Sequence, residues 1–474
     1  MMTNLPSALS SLLIPVSLLL VAIPDAYSST VSWISSTSER PWQQMPSPSL
    51  AVGGPDLVSQ IRVTPRRTCQ TIDGFGGCFN ELGWIALNKA SAIDRTQVIS
   101  ALFGDEGCSF TLARLPIGAS DFSTDGYSLA ETPGDYDLKS FSIARDQKQL
   151  IPFLKAAMTV RPSLKCWGSP WSPPAWMKTS NNYSKGSIKW EPAILRTYAN
   201  YFVRWIEAYR EQGVAIYAVH PQNEPNILSP YPSCLWTGPQ LRDFISDYLG
   251  PTLRAKTPDV ELWLGTINGD PPNGGNNIND RIITVMENEK ARSFVTGIAF
   301  QYDSRNMISV AKEMYPDKKL MQSETVCNGG NNSWSDAQKL YDLMKRFFEN
   351  NANSYFAWNM VLDDGGMSTW DWKQNALITV NRESGKVAYN GEYYAMRHFS
   401  QYVKPGAKRV LTTGQWGDRI AFVNPDGSTV IVVGNSAKQS FEITLTIGGR
   451  ASGDTIKVNL PAESLNTFIV PPGS

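Results

Sequence analysis

Two short stretches carry the residues most suited to chemistry. In the first, an apolar run from Val214 to Val219 ends abruptly in His220, Pro221, Gln222, Asn223, Glu224 and Pro225. In the second, Lys319 to Ser323 leads to Glu324 in the same position after a shorter run. A carboxyl group can donate a proton, accept one or attack an electrophile, according to its surroundings. One glutamate at the end of a strand is weak evidence of function, because it can simply face solvent. Two of them across one cleft are what hydrolysis of a glycosidic bond requires. One is protonated to serve the leaving oxygen. The other is ionised to attack the anomeric carbon, and in a retaining mechanism the two carboxyl groups lie about 5–5.5 Å apart.

Composition narrows the alternatives. Lys+Arg and Asp+Glu are equal at 43 each over 474 residues, which gives no electrostatic case for a nucleic acid or an anionic membrane surface. Only His220 and His398 supply imidazoles, which nearly excludes a histidine-based zinc site and makes a Ser-His-Asp triad hang on one of two residues. The six cysteines (Cys69, Cys78, Cys108, Cys166, Cys234, Cys327) form no C-x-x-C pair; Cys69 and Cys78 are a candidate disulfide that the sequence leaves open. No metal or cofactor is expected. The chain is rich in aromatics, with 15 Trp and 18 Tyr, many beside polar, Gly or Pro residues, as platforms for sugar rings would be.

Positioning two glutamates on one rim requires strands that end together. Continuous apolar runs place candidate strands at Ile72–Phe79, Phe110–Pro116, Leu164–Gly168, Val214–Val219, Glu261–Gly265, Gly297–Gln301, Lys319–Glu324 and Ser354–Asn359. Runs without polar alternation suit strands buried on both faces. Helical patterns intervene, the clearest at Ile194–Glu211, closed by Gly213. Eight strands with crossovers predict an α/β (β/α)8 TIM barrel whose chemistry sits at the carboxyl ends of its strands. Past Phe399 the pattern changes to short β-rich runs, Arg419–Val423, Thr429–Val433, Phe441–Ile447, Thr455–Val458 and Thr467–Val470, which predict an antiparallel β-sandwich. Leu57–Val63 precedes the barrel as a half-exposed strand suited to join that sandwich, whereas the rest of 29–56 reads as an irregular lead-in. The expected division is 1–28, 29–70 contributing to the sandwich, 71–399 for the barrel and 400–474 for the sandwich.

The first 28 residues read as a secretory signal. Leu12–Ile23 is apolar but too short to span a bilayer comfortably, and Ala26 to Ser28 gives a small-x-small cleavage pattern. A secreted or periplasmic protein without stable membrane insertion is expected. The sequence does not fix the oligomeric state.

His220 to Pro225, Gly74 to Gly77 (Gly-Phe-Gly-Gly), Arg114 to Gly118, Ser169 to Lys178 and Gln322 to Glu324 together resemble glycoside hydrolase family 30, that of the glucosylceramidases. The resemblance runs from about residue 57 to the C-terminus. It implies a retaining β-glycosidase with Glu224 as acid/base and Glu324 as nucleophile. It further implies that Asn223 bonds the sugar 2-hydroxyl and that Arg114 lies near the nucleophile. Asp121, Trp171, Trp358 and Asn375 are the remaining expected sugar contacts. Plainer roles stand beside these: Arg114 in a structural ion pair, Trp171 and Trp176 bracing the Pro-rich loop, Gly74 to Gly77 permitting a tight barrel strand. His220 is expected to hydrogen-bond inside the barrel mouth, and His398 to pack a helix.

One position departs from the family. Where lysosomal-type members carry a tyrosine against the nucleophile, this chain has Asp303, leaving Tyr302 or Gln301 to make that contact. The motifs favour a β-glucosidase or glucosylceramidase-like activity on a carbohydrate substrate. β-Xylosidase and endo-β-1,6-glucanase are alternatives within the family, and an inactive carbohydrate-binding barrel is the alternative from another class.

Overall fold

The computed structural model describes residues 1, 30–52, 60–269, 279–304, 306–325, 328–448 and 453–472. The expected signal segment and Cys327 lie outside them. Among the described residues no helix is long and apolar enough to cross a membrane.

Four strands precede the barrel: β1 (Ser32–Ser36), β2 (Gln43–Met45), β3 (Ala51–Val52) and β4 (Ile61–Thr71). Eight parallel strands then close into a barrel: β5 (Gly74–Cys78), β6 (Leu112–Pro116), β7 (Lys165–Ser169), β8 (Ile216–Val219), β9 (Glu261–Ile267), β10 (Val295–Gln301), β11 (Lys319–Glu324) and β12 (Ser354–Asn359). A small sheet of β13 (Val361–Asp363), β14 (Ile378–Val380) and β15 (Val387–Tyr389) follows. The chain ends in β16 (Lys408–Thr413), β17 (Arg419–Val423), β18 (Thr429–Asn435), β19 (Phe441–Gly448), β20 (Gly453–Leu460) and β21 (Ser464–Val470).

The barrel is plugged by one side chain from each of seven strands: Leu112, Trp167, Ala218, Trp263, Ala299, Met321 and Phe356. The eighth strand, β5, contributes Gly76 instead, because a Cβ there would collide with the Leu112 carbonyl and the Phe356 ring. Side chains alternate along a strand, so the residue two places further on also points inward. Arg114, Ser169, His220, Gln301, Ser323, Trp358 and Cys78 therefore form the next layer, at the carboxyl ends of the strands. The plug is the floor on which the site is built.

Helices cover the outside of the barrel. The longest, Pro192–Glu211, begins with proline in its first turn, where the missing N–H costs nothing. It buries Leu195, Tyr198, Ala199, Phe202, Trp205, Ile206 and Tyr209. Each fully buried large apolar side chain contributes about 1.5–3 kcal/mol. Gly213 ends it in the left-handed region (φ 74°), its N–H donating to the Arg210 carbonyl at 2.7 Å.

The sandwich takes strands from both ends of the chain, in the order β2-β1-β21-β18-β17-β16-β4-β19-β20-β3. Trp33, Ile61, Val410, Val433, Ile443, Ile456 and Phe468 share one core, so the sheet folds back on itself. All its pairs are antiparallel except β4 with β19. Residues 30–52, the described part of 29–56, are not the irregular lead-in expected but hold β1, β2 and β3. Ser32–Ser36 has too little hydrophobicity to be read as a strand alone, and becomes one because it pairs with β21 along its whole length. His398, on the helix Gly391–Ser400, ties barrel to sandwich: its ring nitrogens lie 2.8 Å from Thr467 Oγ1 and 2.8 Å from Ser36 Oγ. Cys69 and Cys78 carry free thiols.

Candidate active site

Arg114 organises the layer above the plug. It is fully buried, and Trp167, Trp171 and Trp358 surround its guanidinium with ring centroids 5.1, 4.6 and 5.4 Å away. Nη1 donates to Glu324 Oε2 at 2.5 Å and to the Ser323 carbonyl at 3.2 Å. Nη2 donates to Asn223 Oδ1 at 2.7 Å and to Ser169 Oγ at 3.2 Å. A planar fork reaches both in a way that a point charge does not.

The Asn223 amide has only one orientation open to it. Its Oδ1 accepts from Arg114 Nη2, from Thr266 Oγ1 at 2.8 Å and from Gln301 Nε2 at 3.1 Å. Three donors on the oxygen leave Nδ2 as the atom that can donate to a ligand. Gln301 Nε2 also donates to Glu324 Oε2 at 3.2 Å. Glu324 is thus held by a cation and an amide in a nearly dry setting, an arrangement that offsets its negative charge.

Glu224 sits differently. β8 has ended at Val219, and Glu224 beyond it takes a left-handed conformation (φ 47°), its N–H donating to the Thr266 carbonyl at 3.1 Å. Its carboxyl accepts from Asn268 Nδ2 at 2.7 Å and from the Tyr231 hydroxyl at 3.0 Å. Burial and the neighbouring Glu224 push the Tyr231 phenol far above its ordinary range, so it remains a donor. Among the described residues no cation pairs with Glu224. Glu224 is thus partly exposed and held by neutral groups, in contrast to Glu324.

Asp121 completes a trio of carboxyl groups. Burial, then the charges of Glu324 and Glu224, hold its pKa well above the usual carboxylate range. Its Oδ1 is buried without a protein partner, as is the Nε1 of Trp358. Phe122, Trp171 and Trp358 line one apolar wall with Cys78, the two indoles 5.4 Å apart. Orphaned polar atoms beside a wall of tilted aromatic rings suit a polyhydroxylated ligand. The loop bearing Asp121 is anchored further along by Asp146, which accepts from the Tyr127 and Tyr209 hydroxyls at 2.9 Å each.

Two sequence matches decide which family has this geometry. The Glycosyl hydrolase family 30 TIM-barrel domain matches residues 72–403, and the Glycosyl hydrolase family 30 beta sandwich domain matches residues 406–468. The chain belongs to glycosyl hydrolase family 30. It is 26% identical to the lysosomal acid glucosylceramidase of Mus musculus, over 86% of this chain and 83% of that one. It is 28% identical to the endo-1,6-beta-D-glucanase of Neurospora crassa, over 98% of this chain and 99% of that one. The solved structure of the endo-beta1,6-glucanase BT3312 superposes with a TM-score of 0.81 at 25% identity, covering 93% of this chain and 99% of that one.

Of the residues expected from sequence, the family 30 barrel brings Glu224, Glu324, Asn223, Arg114, Asp121, Trp171 and Trp358 to one rim. Asn375 is engaged elsewhere. Its Nδ2 donates to Glu392 at 2.9 Å and Asp336 at 3.2 Å, and its Oδ1 accepts from the Asn332 N–H at 3.3 Å, so it braces the loop after β12. Of the two residues left open for contact with the nucleophile position, Gln301, which shares the inward parity of Ala299, donates to Glu324; Tyr302 begins a 3-10 turn. His220 does not hydrogen-bond as expected. Parity with Ala218 turns it into the barrel, where it stacks on Trp167 (3.9 Å, 13°) and neither ring nitrogen meets a protein partner. Burial, then the Arg114 charge, keep it neutral. Trp176 braces its loop through Nε1 to the Ala130 carbonyl at 2.9 Å.

The sequence reading missed Tyr231, Asn268 and Thr266. Asn268 had a signal, because it ends an apolar strand just as Glu224 follows one. Tyr231 had none, since a loop brings it back over Glu224.

Proposed function

We propose that this family 30 enzyme is a retaining β-glucosidase acting on β-1,6-linked glucan outside the cell. The observation that carries the mechanism is the unequal setting of the two glutamates. Glu324 meets Arg114 and Gln301, while among the described residues the Glu224 carboxyl meets Asn268 and Tyr231. Glu324 attacks the anomeric carbon as Glu224 gives its proton to the departing glycosidic oxygen. A glycosyl ester on Glu324 results. Glu224, now ionised, takes a proton from water, which attacks the same carbon and restores both groups with overall retention. Asn223 Nδ2 bonds the sugar 2-hydroxyl, Asp121 and Trp358 Nε1 hold further hydroxyls, and the wall of Trp171 and Trp358 packs the ring.

A 2-deoxy-2-fluoro-β-glucoside should leave its sugar on Glu324, read by mass spectrometry of the digested enzyme. Label on any other residue, or an inverted first product by NMR, sinks the mechanism. Glu324→Gln should abolish turnover with the fold intact.

The glucan reading is supported by similarity to the Neurospora crassa endo-1,6-beta-D-glucanase over 99% of that protein's length. Assay of β-1,6-glucan, glucosylceramide and an aryl β-xyloside side by side tests it; a higher kcat/KM on either of the latter two displaces it. Export is supported by Leu12–Ile23 and the Ala26 to Ser28 pattern. The secreted product should begin near residue 29.

A further inference from the structure

Among the described residues the exposed aromatic rings are Tyr136, Trp190 and Trp372, and all three lie on loops that follow barrel strands, on the same face as the two glutamates. One of them, Tyr136, borders a cavity. It meets the half-buried Trp176 edge to face with centroids 5.6 Å apart, and the two rings line a space of about 470 Å³ between the loops after β6 and β7. None of the catalytic rim residues lines this cavity. Its remaining wall holds Asn181 and Glu191, with Trp190 beside Glu191 in the chain.

The polar groups here are left able to bind. Asn181 Oδ1 accepts from Lys189 Nζ at 3.1 Å, which turns its Nδ2 outward as a donor. The Glu191 side chain is exposed and makes no ion pair or hydrogen bond to the described residues. Lys189 is spent on Asn181 and on the Trp176 carbonyl at 2.8 Å. One exposed ring, one half-buried ring, a free carboxylate and an amide nitrogen around a cavity the size of one or two hexoses are the elements that recognise a sugar: its C–H face packs on a ring and its adjacent hydroxyls donate and accept. Trp176 is fixed through its Nε1, which leaves its ring face and that of Tyr136 as the apolar part of the site.

We infer that this cavity is a second glucan-binding site, which holds a stretch of the same polymer whose bond is cut at Glu224 and Glu324. The inference rests on the β-1,6-glucan reading above. The site acts by keeping the enzyme on its substrate, so its effect falls on polymer affinity and leaves bond cleavage alone.

The test compares the parent with Tyr136→Ala/Glu191→Gln and with Trp190→Ala, each checked for an unchanged melting temperature. Substrates are linear β-1,6-glucan and an aryl β-glucoside. The expected result is a KM for the glucan raised about fivefold or more, with its kcat and all aryl-glucoside constants within about twofold of the parent. An unchanged glucan KM in both variants overturns the site, and so does a parallel loss on both substrates. A parent that cleaves the aryl glucoside but not β-1,6-glucan shows that the substrate reading has failed, and this inference falls with it.

Discussion

Gln301 donates to Glu324 across 3.2 Å from the neighbouring strand, with the same nitrogen 3.1 Å from the Asn223 carbonyl oxygen. One amide therefore fixes both the attacking carboxylate and the residue facing the sugar 2-hydroxyl. A hydrogen bond to a charged group is worth roughly 1.5–3 kcal/mol. Gln301→Met should lower kcat on an aryl β-glucoside about 10- to 100-fold. Gln301→Glu should be worse, because it sets a like charge beside Glu324. Retention of more than half the parental kcat by either variant would remove Gln301 from this role.

Arg114→Lys keeps a positive charge but not the fork. An ammonium reaching Glu324 takes the Nη2 hydrogen bonds away from Asn223 and Ser169, although Thr266 and Gln301 still donate to Asn223, and the indole faces lose a flat cation. The expected loss is on the order of 100-fold in kcat/KM. Steady-state kinetics with circular dichroism separates this from misfolding. A variant with nearly full activity would show that charge alone suffices.

Stability should depend on pH through Asp146. Burial raises its pKa to about 7 despite the two tyrosine hydroxyls, whose bonds act in the opposite direction. The unfolded value is about 3.9, so between roughly pH 4 and 7 the folded state binds the extra proton. The stabilisation is full below pH 4 and is lost as pH rises through 7. His398 works the other way. Burial lowers its pKa to about 3, so its contribution is lost as pH falls from about 6.5 towards 3. The parent's profile mixes the two, and a variant comparison isolates the first. The melting temperature of Asp146→Asn relative to the parent should rise steadily between pH 4.5 and 7.5. A constant difference across that range would refute the assignment.

His398→Phe fills the space but leaves Ser36 and Thr467 without the imidazole they share. Each hydroxyl keeps a bond to a backbone carbonyl, Thr467 to His398 and Ser36 to Pro41, so the loss is that of the two bonds to the ring, about 0.5–1.5 kcal/mol each. Urea denaturation should show the variant less stable by that order. An unchanged midpoint and slope would mean that neither hydroxyl depends on the ring.

The barrel was legible because its strands are buried on both faces and their apolar runs end at the rim. Ile216–Val219, Lys319–Glu324 and Ser354–Asn359 needed nothing else to be seen. Glu224 and Glu324 showed for the same reason, as charge at the end of such a run. What stayed hidden depends on partners distant in sequence. Ser32–Ser36 is a strand only beside β21, and Lys408–Thr413, read as no element, is one beside β4 and β17. Asn375 looked like a ligand contact because its own letters do not record Glu392 and Asp336. His220 could have been placed by parity with Ala218, since alternation alone turns it inward.

The threading of the sandwich sets a timetable for biosynthesis. β1 and β4 are among the first strands to leave the ribosome, yet β4 pairs with β16 and β19 and β1 with β21. At about 5–20 residues per second, translation of the intervening barrel leaves those two strands waiting on the order of tens of seconds. The nascent barrel is thus complete while its companion layer is still half absent. A protein cut between barrel and sandwich yields no independent lobe: the C-terminal piece lacks β1 and β4, and the N-terminal piece keeps both with open edges.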